Sequence, residues 1–437
     1  MITCSFGVQP VIERSERPSQ RILSGINVEY LSACNEMADP TLAVLEILGA
    51  RSRASRTELA AATGLSAATV SRTIGRLRRE GIVREGPPSP VGVGRPPRVI
   101  ELDDRSAAVV GIDAGGRTLR AAAGDLGGTM RARIARPIRD PDDGVALVDD
   151  LAGLVSDLVA ASPGGAIRAL VAGVSGIVDH AAGRVLLSPD LPGLTGLDLA
   201  DALEDRLGIP VAIDNDDLLA AIGEASAGAA IGCRDVVFLA LGYGLGAGVI
   251  VDGRPVRGAT NAAGAIGYMA PGRLDRRASG RTIPMRYREA VARASALPGS
   301  GPQSSPPEWE PNAGGLAADA REVFELAAAG DPIAARVVAE ALTDLGDLVV
   351  DVGALLDPEV IVVGGGLTDA GNAVFEPLQR RIRSALPYPP RIVPSALHDA
   401  AVLHGAVSMA VALARRRLAG LDPVARSDTD RPALSLL

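Results

Sequence analysis

Residues 55–80 read SRTELAAATGLSAATVSRTIGRLRRE, two short helical patterns separated by Thr63-Gly64. Ser55 and Glu58 stand three positions apart, the spacing at which a serine caps a helix and a glutamate returns the hydrogen bond, so a helix starts here. Gly64 supplies the backbone freedom of a helix stop, and Ser66 offers a second cap for a helix running to about Arg79. In that second helix Val70, Ile74 and Leu77 form one apolar stripe, which leaves Thr69, Arg72, Thr73 and Arg76 on a polar face. Beyond Gly81, Ile82-Val83-Arg84 and Arg98–Leu102 read as two short strands joined by a Pro/Gly loop that carries Arg95. Helix, tight turn, helix and wing describe a winged helix-turn-helix, and its expected partner is a double-stranded DNA operator. Base contacts are expected from Ala68, Thr69, Arg72 and Arg76, and phosphate contacts from Ser71 and from Arg95 in the wing. The plainer alternative is a helical hairpin with a solvated arginine face, which leaves the agreement of caps, turn, stripe and wing without a cause.

The whole chain has a formal net charge of -8, which alone argues against a polyanion partner. The charge is uneven, however. Between Pro40 and Arg98 ten arginines face four glutamates, a net of +6, so the remainder carries about -14. An acidic body beside a basic module confines contact with DNA to that module. All 44 basic residues are arginine. Aromatic residues make up only 2%, so the core has to be packed by Ala, Val, Leu and Ile. Cys4, Cys34 and Cys233 lie far apart without metal-ligand spacing, which suits a reducing cytoplasm and no metal. Val236–Val251, the longest apolar stretch, holds four glycines between two aspartates and reads as strand, turn and strand rather than a membrane span.

Composition shifts divide the 437 residues. Residues 1–38 lack periodicity and read as a disordered extension, 39–103 as the winged module, 108–228 and 229–418 as two lobes of a body, and 419–437 as a frayed tail. The final helix of the second lobe is compatible with a return to the first. Leu297–Gly315, rich in Pro, Ser and Gly, reads as an exposed insertion, and the linker at Asp103–Arg105 is short.

Within the body a strand runs into a glycine turn twice, at Asp113-Ala114-Gly115-Gly116-Arg117 and at Gly242-Tyr243-Gly244-Leu245-Gly246, each followed by another strand. Glycine lets backbone amides approach an anion closely, so such turns suit phosphate, although two ordinary tight hairpins read the same way.

In the order of these landmarks the body resembles the ROK family of repressors, open reading frames and kinases, over roughly Val109 to Ala412. Asp113–Arg117 resembles its first phosphate loop, Ile213-Asp214-Asn215-Asp216 the segment that carries the catalytic aspartate at Asp216, and Gly242–Gly246 its second loop. Ala263–Tyr268 resembles the sugar motif, and Val363-Gly364-Gly365-Gly366 the nucleotide-side glycines. The resemblance implies an α/β chain: a winged helix-turn-helix followed by a two-lobed actin-like (ribonuclease H-like) sugar-kinase fold. Ala67–Arg72 and Gly94-Arg95-Pro96 also resemble the recognition helix and wing tip of the repressor members.

The departures bear on chemistry. A sugar kinase needs an aspartate base, loops with magnesium for the nucleotide phosphates and polar groups for the sugar. Here Asp216 persists, but Asp217 and Leu218 follow it in place of a small residue and an asparagine. The loop threonines are Arg117 and Tyr243, and the sugar-motif glutamate and histidine are Ala265 and Tyr268. The family's zinc-binding cysteines are also missing, because Met269–Glu289 contains neither cysteine nor histidine, and His180, His398 and His404 offer no substitute by spacing. No catalytic residue, cofactor or metal is therefore expected, and Asp216 reads as a relic. The expected protein is a cytoplasmic transcriptional regulator, a repressor, acting as a homodimer or higher oligomer. Asp113, Gly115, Gly116, Arg117, Asn215, Asp216, Gly242, Tyr243, Gly244, Tyr268 and Gly365 are the candidate lining of an effector site for a sugar, a sugar phosphate or another small acid. Arg117 with Tyr243 favours an anion in this reading. Two alternatives stay open: a bifunctional regulator that still phosphorylates a sugar, and a regulator whose body is only a dimer scaffold.

Overall fold

A computed structural model describes residues 11–14, 39–88, 98–161, 165–269, 274–296 and 319–421. The chain divides into two compact units: one holds everything up to Ala227 together with 259–261 and the segment from Ala400, the other Gly228–Gly258 and Ala262–Asp399.

The first unit begins with β1 (Val11–Arg14), which pairs antiparallel with Ala132–Ala135. This corrects the expectation of an unstructured extension for these four residues; the remainder of 1–38 lies outside the described residues. An uncovered edge strand presents unpaired amides and carbonyls, and β1 satisfies them.

The DNA-reading module follows. Helix α1 (Pro40–Arg51) was not anticipated as a helix; Asp39 caps it by accepting from Thr41 N at 2.7 Å and Leu42 N at 3.0 Å, with proline at the first position. After β2 (Arg53–Ser55) come α2 (Arg56–Thr63) and α3 (Ala67–Arg79). The capping box is present in both directions, Glu58 N to Ser55 Oγ at 3.2 Å and Ser55 N to Glu58 Oε2 at 2.7 Å. Gly64 closes α2 at φ 71°, and Ser66 Oγ accepts from Thr69 N at 3.1 Å. Strands β3 (Val83–Pro88) and β4 (Arg98–Leu102) complete a small antiparallel sheet in the order β2-β4-β3. Val70, Ile74 and Leu77 are fully buried with Leu45, Leu48 and Leu59, so the expected stripe is the module's core.

In the same unit, β5 (Ala107–Gly115), β6 (Thr118–Asp125) and β7 (Met130–Pro137) form a meander. Helix α4 (Gly144–Ala161), β8 (Ala166–Val174), the hairpin β9 (Ile177–Asp179) and β10 (Arg184–Leu187), α5 (Leu199–Leu207), β11 (Val211–Asn215) and α6 (Asp216–Ala227) follow. The main sheet runs β1-β7-β6-β5-β8-β11, with β8 parallel to both β5 and β11. Residues of α4 and α5 cover one face with a leucine- and valine-rich core.

The second unit contains β12 (Val236–Leu241), β13 (Leu245–Val251), β14 (Arg254–Pro255), α7 (Asp275–Ala278), α8 (Thr282–Ala296), α9 (Ala320–Ala328), α10 (Pro332–Leu356), β15 (Val360–Gly364), α11 (Asn372–Ala385) and β16 (Arg391–Pro394). Its sheet order is β14-β13-β12-β15-β16, with β12 antiparallel to β13 and parallel to β15. The expected insertion at 297–315 lies outside the described residues.

Helix α12 (Ala401–Leu418) belongs to the first unit, where it packs on α6 and on β5 and β8. Gly223 and Gly405 sit so close to the backbones of Ala401 and Leu219 that a side-chain carbon at either would overlap a carbonyl oxygen. Only glycine permits that helix separation. At the far end of α12, Arg415 is 2% exposed and donates to Glu46 Oε2 on α1 at 2.7 Å and to Leu126 O at 2.8 Å. The linker is docked as well: Asp103 N donates to Ile82 O at 2.9 Å, and Asp104 pairs with Arg131 at 3.0 Å. Among the described residues no helix is long and apolar enough to cross a membrane.

Candidate DNA-reading face and ligand site

Helix α3 presents Ala68, Ser71 and Arg72 to solvent, with Thr69 half-buried beside its cap. These are residues of the first two turns, the part of a recognition helix that reaches base edges. Two members of the expected polar face depart from it. Thr73 is 8% exposed and belongs to the interior. Arg76 turns inward and donates to the Thr41 hydroxyl on α1, so its guanidinium braces the module instead of pointing away from it. Arg95, with Gly94 and Pro96, lies outside the described residues. At the base of the wing, Glu85 collects Arg56, Arg78 and Arg98 at 2.9, 3.3 and 2.7 Å. Hydrogen bonds from Arg98, then Arg56, hold its carboxyl down to about 2. Glu85 thus fixes three arginines of the basic surface in place.

In the body, the candidate residues fall into two groups, one per unit. In the first, Asp113 is 5% exposed at the end of β5 and pairs with Arg120 at 3.1 Å. A side-chain carbon at Gly115 would stand 3.1 Å from Asp113 Oδ1 and 3.3 Å from Asp216 Oδ2, so the glycine turn brings both carboxylates together. Asn215 joins β11 to α6: its Oδ1 caps Leu218 N at 2.9 Å, and its Nδ2 donates to Gly176 O at 2.9 Å and to Asp216 Oδ1 at 3.1 Å. Asp190, held by the Ser175 hydroxyl at 3.1 Å, adds a further acid. Asp216 and Asp217 keep some solvent contact, yet burial is the largest cause that raises both. For Asp216 the charges of Asp217, Asp113 and Asp190 add to it and push the carboxyl well above the usual range. Asp217 is pushed up to about 7 by burial, then by Asp190 and Asp113. Gly116 (φ 60°) and Arg117 are exposed at the turn, and the Arg117 guanidinium has no partner among the described residues. What gathers at Gly115 is therefore acidic, which counts against the anion-binding expectation attached to Arg117.

In the second unit, Gly242, Tyr243 and Gly244 turn tightly, Gly242 N donating to Gly244 O at 3.1 Å. The Asp275 carboxylate accepts from Leu245 N of this loop at 3.2 Å and pairs with Arg281. Arg281 also lies over the Tyr243 ring, 5.5 Å from its centre. A loop amide that would serve a phosphate is thus already taken by a carboxylate of the chain itself. Gly365 (φ 91°) abuts the end of β12, where a side-chain carbon would come within 2.6 Å of the Leu241 carbonyl. Tyr268 is 56% exposed at the end of a short 3-10 turn. Sequence reasoning missed Asp190, Asp275, Arg281 and Arg120, all outside the motif segments; Asp217 was noted there only as a replacement for a small residue after Asp216. Among the described residues no group of His, Cys, Asp or Glu is arranged to hold a metal ion.

The model of the ROK family matches residues 109–413, and one described as winged helix-turn-helix DNA-binding matches residues 37–84. The chain is 26% identical over 368 residues to a xylose repressor of Caldicellulosiruptor bescii, covering 82% of this chain and 91% of that one. A ROK family glucokinase of Streptomyces griseus, solved with glucose and AMPPNP, is 28% identical and superposes with a TM-score of 0.57 over 69% of this chain and 99% of its own. A solved ROK family transcriptional regulator, a homologue of the E. coli MLC protein, has a TM-score of 0.68 at 21% identity, over 88% of this chain and 97% of its own. The likeness to that regulator extends over the winged module as well as the actin-like α/β body.

Proposed function

The chain belongs to the ROK family, and from that premise we propose that it is a DNA-binding transcriptional repressor whose body binds a sugar and does not phosphorylate it. The observation that carries this reading is α3: a doubly capped winged module exposes Ala68, Ser71 and Arg72 together on the first two turns of its second helix. The xylose repressor, similar over most of both chains, supports the same assignment.

For the effector, the carboxylates around Gly115 favour a neutral polyhydroxyl ligand over a sugar phosphate. Carboxylates accept hydroxyl hydrogens well, whereas a phosphate there would face Asp113, Asp190, Asp216 and Asp217. Such a ligand alters DNA affinity only by binding one arrangement of the protein better than another. A homodimer on a two-fold related operator follows from the module type.

The second reading, a regulator that still phosphorylates sugar, rests on Asp216 standing beside the first glycine turn and on the glucokinase likeness. Against it stand Tyr243 and the carboxylate of Asp275 on the second loop, which oppose a nucleotide phosphate. Selection of duplexes from a random pool by the purified protein, with ATP-dependent phosphorylation of glucose and xylose assayed in parallel, tests both. Enrichment of a two-fold motif without turnover is expected. No enrichment at physiological salt sinks the repressor, and turnover abolished by Asp216→Asn establishes the second reading.

A further inference from the structure

Where the winged module meets β6 and β7, a cavity of about 450 Å³ opens. Its walls carry Arg51, Arg53, Arg84 and Arg131 against Glu101, Asp104 and Asp125. The three acids are occupied. Glu101 takes Arg84 at 3.3 Å, while Asp104 and Asp125 both take Arg131, at 3.0 and 2.6 Å. Asp125 also accepts from the amides of Gly127 and Thr129, at 2.8 and 3.0 Å.

Arg51 and Arg53 are exposed, and neither guanidinium makes a hydrogen bond or ion pair among the described residues. Arg51 acts on Glu58 only through space, as the least of the causes lowering that carboxyl. Between the two arginines Ser52 holds φ 72° and ψ -38°, a conformation that residues with a side chain seldom adopt. Backbone held in such a state is over-determined by its surroundings, and here the bend sets both flanking arginines on one cavity. The lining residue Leu126 accepts from the buried guanidinium of Arg415, which is itself paired with Glu46.

We propose that this cavity is a binding site for a small phosphate-bearing ligand, gripped by the Arg51 and Arg53 guanidinium groups. Two planar forks from one bent segment match the several oxygens of a phosphate better than the two of a carboxylate. The volume is that of a small-molecule site. No residue of α3 lines it, and residues 104–131 form one wall, so it opens on the module's body side and not along the recognition helix. A ligand there bonds the module to the body and biases the placement of α3 independently of any sugar.

The test is calorimetry on the full chain with inorganic pyrophosphate, comparing the wild type, Arg51→Gln/Arg53→Gln, and Arg321→Gln/Arg380→Gln, which removes the same charge from exposed positions of the second unit. Wild type and the remote pair are expected to bind alike, and the Arg51/Arg53 pair to bind about tenfold more weakly or worse. Equal affinity in all three proteins, or no saturable binding by wild type, overturns the proposal. In phosphate-free buffer the Arg51/Arg53 pair is expected to keep wild-type DNA affinity. A fall there with a shallower salt dependence assigns these arginines to the DNA backbone and refutes the small-ligand site. The pyrophosphate readout uses no DNA, so the repressor assignment and this site fail separately.

Discussion

Gly49→Ala should destabilise this protein, against the rule for helices. Within α1 the exchange of glycine for alanine ordinarily stabilises by about 1 kcal/mol, through the smaller backbone entropy lost on folding. Here the new methyl would fall on Nη2 of Arg415 and stand 2.5 Å from its Cζ. The guanidinium has nowhere cheap to go, because it is 2% exposed and bonded to Glu46 Oε2 at 2.7 Å and Leu126 O at 2.8 Å. Hydrogen bonds to a charged group contribute roughly 1.5 to 3 kcal/mol each. Losing one of them while gaining helix propensity leaves a net loss of about 0.5 to 2 kcal/mol. Urea unfolding midpoints of wild type, Gly49→Ala, Arg415→Met and the double variant form a cycle that isolates the contact. In the Arg415→Met background the guanidinium is gone, so Gly49→Ala should be neutral or stabilising. A stabilising Gly49→Ala in wild type, or the same effect in both backgrounds, refutes the reasoning.

Arg72→Ala should cost about 1 to 3 kcal/mol of operator affinity, read by titration of a labelled duplex, if its side chain meets a base edge. Arg76→Ala should instead lower the thermal stability of the module by about 1 kcal/mol, because its partner is Thr41. Glu85 is held down to about 2 from an ordinary 4.5, so its stabilising contribution is complete above pH 4.5 and is lost as pH falls toward 2; Glu85→Gln should flatten that part of an acid unfolding curve. Asp217 is shifted the opposite way, from 3.8 to about 7, so ionising it costs stability as pH rises across that window. Asp217→Asn should therefore stabilise more at pH 8 than at pH 4 in paired thermal melts, and equal gains at the two pH values would contradict the burial of that carboxylate.

The winged module was legible because its signals are local: Ser55 with Glu58, Gly64 and Ser66 each act within one turn of chain. Helix α1 was harder to see, since Asp39-Pro40 is a cap signal followed by a short stretch that is apolar almost all round, so its one buried face leaves no stripe in the sequence. The inward turn of Arg76 was not readable at all. Its partner, Thr41, lies on an element 35 residues away, and helical periodicity places a long side chain on a face without saying which way its head points. The glycine turns of the body were read correctly as strand, turn and strand, whereas the acids that decide their chemistry, Asp190 from a loop and Asp275 from the start of α7, have no spacing relation to them. Charge at the site is a tertiary property, which is why the anion expected from Arg117 does not suit the carboxylates that gather at Gly115.

The return of α12 to the first unit has a consequence in time. The ribosome makes Gly228–Asp399 after α6 and before α12, an interval on the order of 10 to 30 s at bacterial and eukaryotic elongation rates. The winged module is complete long before that interval ends, with its capped helices and its own core already available. Through that delay α6 lacks the helix that packs against it, and Glu46 lacks the arginine that moors α1. A nascent chain thus carries a finished DNA-reading surface on an unfinished body, and control over it is acquired only as the residues around Arg415 emerge and dock.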